Sequence, residues 1–149
     1  MENKIAEVCL VYETKVKSSD RIKVSCSQDA YEAVFEAWNK GSIEHIEEFK
    51  ILLLNRANKV LGTTTISKGG VAGTLVDLKV IFQYALKANA SNIILAHNHP
   101  SGNRNPSDAD IAITKKAESA ANFLDMHILD QIILAPGDRY FSMKDEGVY

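Results

Sequence analysis

A chain of 149 residues, 46% hydrophobic and 24% charged, is sized for one domain with a sizeable buried core, residues 1–149 being a single unit. Its net charge of −2 and pI of about 6.1 lack the positive excess of a protein that mainly neutralises phosphates, so nucleic acid is not expected as the principal partner. The N-terminus mixes charges into a short apolar run that is neither a signal peptide nor a membrane span, which makes the cytoplasm the expected compartment and a membrane an unexpected partner.

Residues 8–14 alternate apolar and polar as a strand does. Ser27 can N-cap a helix whose apolar stripe is Ala30, Val34, Ala37 and Trp38, with Gly41 as its stop. Residues 1–42 thus read as an N-terminal strand and helix. Cys9 and Cys26, far apart and without the spacing of a thiolate metal site, are expected as small buried hydrophobes.

Two β-prone runs, 49–54 and 60–67, flank Asn55-Arg56-Ala57-Asn58 and predict a hairpin. A second helix is expected to open at Thr74, with Leu75, Leu78, Phe82 and Ala85 on one face. The glycines from Gly69 to Gly73 before it read as a loop, since the Gly-Lys-Ser/Thr ending of a phosphate-binding loop is missing. The continuous apolar run 93–96 predicts a central strand covered on both faces. A third helix from Ser107 to about Leu124, a strand over 127–135, a Pro136-Gly137-Asp138 turn and a last strand over 140–143 complete the chain. Strands interleaved with helices imply an α/β sandwich, a mixed sheet flanked by helices on both faces.

The chemistry gathers in His97-Asn98-His99-Pro100-Ser101-Gly102 and the Ser107 to Asp110 segment beyond it. His97 and His99, two apart at a strand end, point the same way, and Asp110 shares the helical stripe of Ile113, Ala117, Ala121 and Leu124. Two imidazoles and one carboxylate are the ligand set of a single catalytic zinc that keeps one position open. The competing account is a capping pair, Ser107 bonding a backbone N–H while Asp110 reaches back, and Ser107 can serve both roles. A general base is still needed. Of Glu47 and Glu48, strand parity places Glu47 with Phe49, Ile51 and Leu53 and Glu48 with Lys50, so Glu47 is chosen, against the alternative of a solvated loop pair. His45 and His127 have no ligand spacing and read as structural.

These residues resemble the RadC-like branch of the JAB/JAMM (MPN-type) metalloprotease superfamily. Its pattern is an upstream Glu, then His-x-His, seven residues, Ser, two residues and Asp, and Glu47, His97, His99, Ser107 and Asp110 fit it without a gap. The similarity runs from about Ile43 to the C-terminus, so that 43–149 reads as the JAB/MPN region. It implies a cytidine-deaminase-like α/β fold, one zinc ion on His97, His99 and Asp110, Glu47 as general acid/base, and Ser107 aiding the tetrahedral intermediate. It further implies hydrolysis of an amide, peptide or isopeptide bond, with a non-catalytic or DNA-repair-associated zinc module as the alternative. Many RadC-like proteins carry an N-terminal helix-hairpin-helix region to which no residues here correspond. They also often show Asp-His where this chain has Asp130-Gln131.

Overall fold

In the computed structural model, which describes residues 4–69 and 75–148, strands β1 (Glu48–Leu54), β2 (Val60–Lys68), β3 (Asn92–Asn98), β4 (His127–Ala135) and β5 (Arg139–Ser142) form one sheet in the order β2-β1-β3-β4-β5. The β1–β2 hairpin, β1–β3 and β4–β5 pairs are antiparallel and β3–β4 is parallel, so the sheet is mixed. The parallel pair needs a crossover, and the third helix supplies it. Three helices, α1 (Ser27–Glu36), α2 (Leu78–Lys87) and α3 (Asp108–Phe123), flank the sheet.

The two faces separate cleanly by residue parity. Phe49, Ile51 and Leu53 of β1 and Ile93 and Leu95 of β3 pack with Ile81, Phe82 and Ala85 of α2 and Ala117 and Ala121 of α3. The alternate residues Leu52, Leu54, Ile94 and Ala96 pack with Ala30, Tyr31, Val34 and Trp38 of the α1 side. Every residue of β3 is buried, as the apolar run predicts for a strand covered on both faces. Burying one such aliphatic side chain stabilises by roughly 1.5–3 kcal/mol, so two-sided burial makes β3 the best-anchored element of the sheet.

Several expectations for the chain ends are overturned. Residues 8–14 form no strand. The edge of β2 that they could extend is occupied at its start by residues 22–24, through Val60 N–H to Ile22 O, Val24 N–H to Asn58 O, and the Lys23–Lys59 bridge. Tyr12 reaches β2 through its hydroxyl, 2.6 Å from Leu61 O, and packs its ring on the core, while Val8 and Val11 stand 87% and 78% exposed. An apolar alternation without a ladder partner remains extended coil. Both cysteines are free and exposed rather than buried, Cys9 because it rides on this segment and Cys26 because it is the N-cap of α1. Ser27 is therefore the first helical residue instead of the cap, and α1 stops at Ala37, before Gly41 and with Ala37 exposed. Thr74 and most of the glycine stretch lie outside the described residues. The cap of α2 is Asp77, whose side chain accepts from Lys79 N–H, and Leu75, ahead of the helix, is 94% exposed. Leu124, the C-cap of α3, is 41% exposed because the helix has ended there.

Candidate metal centre

The site forms where the carboxyl end of β3 meets the first turn of α3. His97 is the penultimate residue of β3 and 2% exposed, its ring stacked on Phe49 at 6.0 Å between centroids and 7° between planes. His99 follows the strand, and its backbone N–H still bonds Leu134 O at 2.9 Å, which prolongs the extended geometry and keeps the two imidazoles on one side. His99 Nδ1–H donates to Asn103 O at 2.6 Å, leaving Nε2 turned toward His97 and Asp110.

Asp110 arrives from the other side. Ser107 caps α3 in a reciprocal capping box: its hydroxyl accepts from Asp110 N–H at 3.1 Å and its own N–H donates to Asp110 Oδ2 at 2.8 Å. That same Oδ2 lies 3.3 Å from His97 Nε2 and 3.3 Å from His99 Nε2, while the two Nε2 atoms are 2.9 Å apart. Capping and convergence, weighed as alternatives from the sequence, coexist on one oxygen. The buried Thr114 hydroxyl, 2.9 Å from Asp110 O and 2.8 Å from Gln131 Oε1, ties the first turn of α3 to β4.

The donor set suits a tetrahedral zinc. Bonds of 2.0–2.1 Å imply ligand–ligand edges of about 3.3 Å, and the three separations fall at or slightly below that value. The electrostatics agree: burial pushes the Asp110 carboxyl up, but hydrogen bonds from His97 and His99 outweigh it and hold the group far below the usual carboxylate range. Burial pulls His99 down, yet its bonds to Asp110 and the Asn103 carbonyl leave it raised. Positive charge is favoured at the point these atoms surround. Among the described residues His97 Nδ1 is buried with no hydrogen-bond partner, so the ring's polar contacts are those of Nε2 and its other edge is held by packing against Phe49.

Glu47 forms a second triad on the same imidazoles, a group that could hold a metal ion: one ligand atom each from Glu47, His97 and His99 lie within 4.8 Å of one another. Asp110 and Glu47 thus both bring a carboxylate oxygen to the same two imidazoles. The antiparallel pair Phe49↔His97 puts Glu47, two residues before Phe49, beside His99. Strand parity thus picks the glutamate that stands beside the imidazoles, but Glu47 is not the more buried of the two. Glu48 is 1% exposed, turned to the α1 side and paired with Lys50 at 3.6 Å and Lys68 at 3.5 Å, whereas Glu47 is half-buried. Ser107 is exposed at the mouth of the site.

Asn98, between the two histidines, was given no role by motif spacing. It is fully buried and makes three side-chain hydrogen bonds to the segment that carries Glu47. The His-x-His spacing points to the imidazoles alone; the signal for Asn98 is a polar residue of opposite parity at the end of an apolar buried strand.

An α/β sandwich that gathers two imidazoles and two carboxylates at the end of its central strand is a metal-site scaffold of the JAB/MPN class. The chain belongs to the RadC-like JAB domain family, whose profile matches residues 24–148 and so begins earlier than the Ile43 reached by motif similarity. It is 44% identical over 127 residues to a UPF0758 protein of Flavobacterium johnsoniae, covering 85% of this chain and 54% of that one. It is 42% identical over 102 residues to a UPF0758 protein of Porphyromonas gingivalis, covering 68% and 45% respectively. A UPF0758 protein of Caldanaerobacter subterraneus is 36% identical over 130 residues, covering 87% and 54%. The chain therefore spans about half the length of the curated relatives it matches. Among the described residues, no helix is long and apolar enough to cross a membrane.

Proposed function

We propose that this chain is a zinc-dependent hydrolase of an amide, peptide or isopeptide bond, with His97, His99 and Asp110 holding one ion, Glu47 as general acid/base and Ser107 as oxyanion donor. The observation that supports it is the meeting of Asp110 Oδ2 with both imidazole Nε2 atoms at 3.3 Å, Glu47 standing on the same pair. When bound, zinc would supply a Lewis acid for the scissile carbonyl and bring the pKa of the attacking water toward about 7.

The chain's own groups then divide the remaining work. Glu47 takes a proton from the water as its oxygen bonds to the carbonyl carbon, and returns it to the nitrogen as the C–N bond breaks. The Ser107 hydroxyl already accepts from Asp110 N–H, so its own proton is free to donate to the carbonyl oxygen as negative charge develops there. The acidic balance favours a peptide or isopeptide over nucleic acid as substrate, and the cytoplasm is the compartment that goes with two free thiols.

The test is a zinc-loaded chain set against a fluorogenic peptide and isopeptide library, with Glu47→Gln as control. The variant is expected to keep zinc at one ion per chain and to lose turnover by roughly 10²–10⁴-fold, the usual contribution of a general acid/base. A folded protein that takes up no zinc defeats the reading. One that binds zinc and cleaves nothing is a zinc module without this chemistry.

A further inference from the structure

We infer that Asn98 is the positioning residue for Glu47, an inference that rests on the hydrolase reading and assigns the side chain between the two histidines a part in it. Asn98 projects from β3 to the opposite side from His97 and is completely buried. Its Nδ2 donates to Ile43 O at 2.8 Å and Ile46 O at 2.9 Å, and its Oδ1 accepts from Glu48 N–H at 2.7 Å. Both amide protons and the carbonyl are used, all on the segment that leads into β1.

The Glu48 N–H that Asn98 holds belongs to the same peptide unit as the Glu47 carbonyl. That carbonyl accepts from Gly69 N–H at 2.9 Å, just beyond β2. The peptide plane following Glu47 is thus clamped at both ends, by Asn98 on one side and the end of the hairpin on the other. The Ile46 carbonyl belongs to the peptide unit before Glu47, so Asn98 holds the planes on both sides of that residue, and together they fix the direction in which the Glu47 side chain leaves the backbone. Because Asn98 sits between the two imidazoles, the segment bearing the acid is referenced to the same stretch of chain that bears two of the proposed ligands. Aspartate in its place would keep the acceptor and lose both donors; serine would keep one bond.

The experiment compares Asn98→Ser and Asn98→Asp, alone and combined with Glu47→Gln, as full-length chains. Zinc stoichiometry and the thermal midpoint are measured first, then turnover of the best library peptide. Asn98→Ser is expected to retain one zinc per chain and to lower turnover roughly a hundredfold at little-changed KM, the loss that an ångström-scale misplacement of a reacting group produces. In the Glu47→Gln background the same change is expected to cost less than twofold, since a residue acting through Glu47 has nothing left to position.

A second readout does not depend on turnover. In the cobalt(II)-substituted protein the visible absorption of Asn98→Ser is expected to move toward that of Glu47→Gln, with cobalt stoichiometry unchanged. If the wild type cleaves nothing, the hydrolase reading fails while this arm still decides the role of Asn98. Equal losses from Asn98→Ser in both Glu47 backgrounds, an unmoved cobalt spectrum, or loss of fold or metal in both Asn98 variants overturns the inference and leaves Asn98 a structural residue.

Discussion

Two polar clusters sit on the sheet, and they are built on opposite principles. On the α1 side, Asp130 Oδ2 accepts from the Ser142 hydroxyl at 2.5 Å and Oδ1 accepts from Lys144 N–H at 3.0 Å, so both oxygens of a residue 4% exposed find partners within its own chain. At the end of β3, His97, His99 and Asp110 crowd their ligand atoms together although two imidazole nitrogens gain little from one another. A buried polar group completed internally is a fastener. A group of imidazole nitrogens and carboxylate oxygens gathered at one point could hold a metal ion.

That contrast can be broken most severely at Asp110. Asp110→Ala removes an oxygen from the proposed ion and one half of the α3 capping box, and is expected to abolish stoichiometric zinc binding, read by metal analysis after dialysis. The wild type should gain stability on adding zinc, by about 2.7 kcal/mol at a hundredfold excess over its dissociation constant, and the variant should gain almost none. A full thermal shift retained in Asp110→Ala would return the residue to a purely capping role.

A smaller effect separates the two functions of Ser107. Ser107→Ala should cost about 0.5–2 kcal/mol of stability through the lost cap, read by urea unfolding of the zinc-free chain. It should lower turnover by roughly tenfold or more while zinc stays bound. Loss of stability alone would leave only the cap.

The smallest effect belongs to the completed cluster. Burial pushes the Asp130 carboxyl up from its ordinary value, more than its bonds to Ser142 and Lys144 pull it down. The folded chain therefore holds the Asp130 proton more tightly than the unfolded chain, and its contribution to stability falls as pH rises from about 3.8 through the raised value, then levels off. Asp130→Asn has no such proton to lose. The stability of the wild type relative to this variant should decline over that window and flatten above it, by urea unfolding of zinc-free protein at a series of pH values; a rising difference would show that the hydrogen bonds outweigh burial.

What the sequence made legible follows from how local each signal is. The hairpin, β3, α3 and β4 each announce themselves by periodicity or by an unbroken apolar run, and their packing in the fold agrees with it. His97, His99 and Asp110 are close in sequence and fall on opposed elements, so their meeting needed only a strand end and a helix start. The N-terminal alternation misled because a strand requires a partner edge, and nothing in residues 8–14 reveals that residues 22–24 already occupy one. Glu48 misled in burial because its desolvation is offset by Lys68, twenty residues away across the hairpin. Asn98 was missed because its bonds run to backbone atoms, which carry no residue identity to read.

The pairing of Phe49 with His97 carries a consequence for insertions. Distance between the acid and the imidazoles is set by a count of two residues along a pleat, so lengthening the chain ahead of Ile43, the first carbonyl that Asn98 holds, leaves that spacing intact. Adding one residue between Glu47 and Phe49 would reverse the pleat and swing Glu47 to the far face. Tolerance to length variation should therefore change abruptly on entering the segment 43–49.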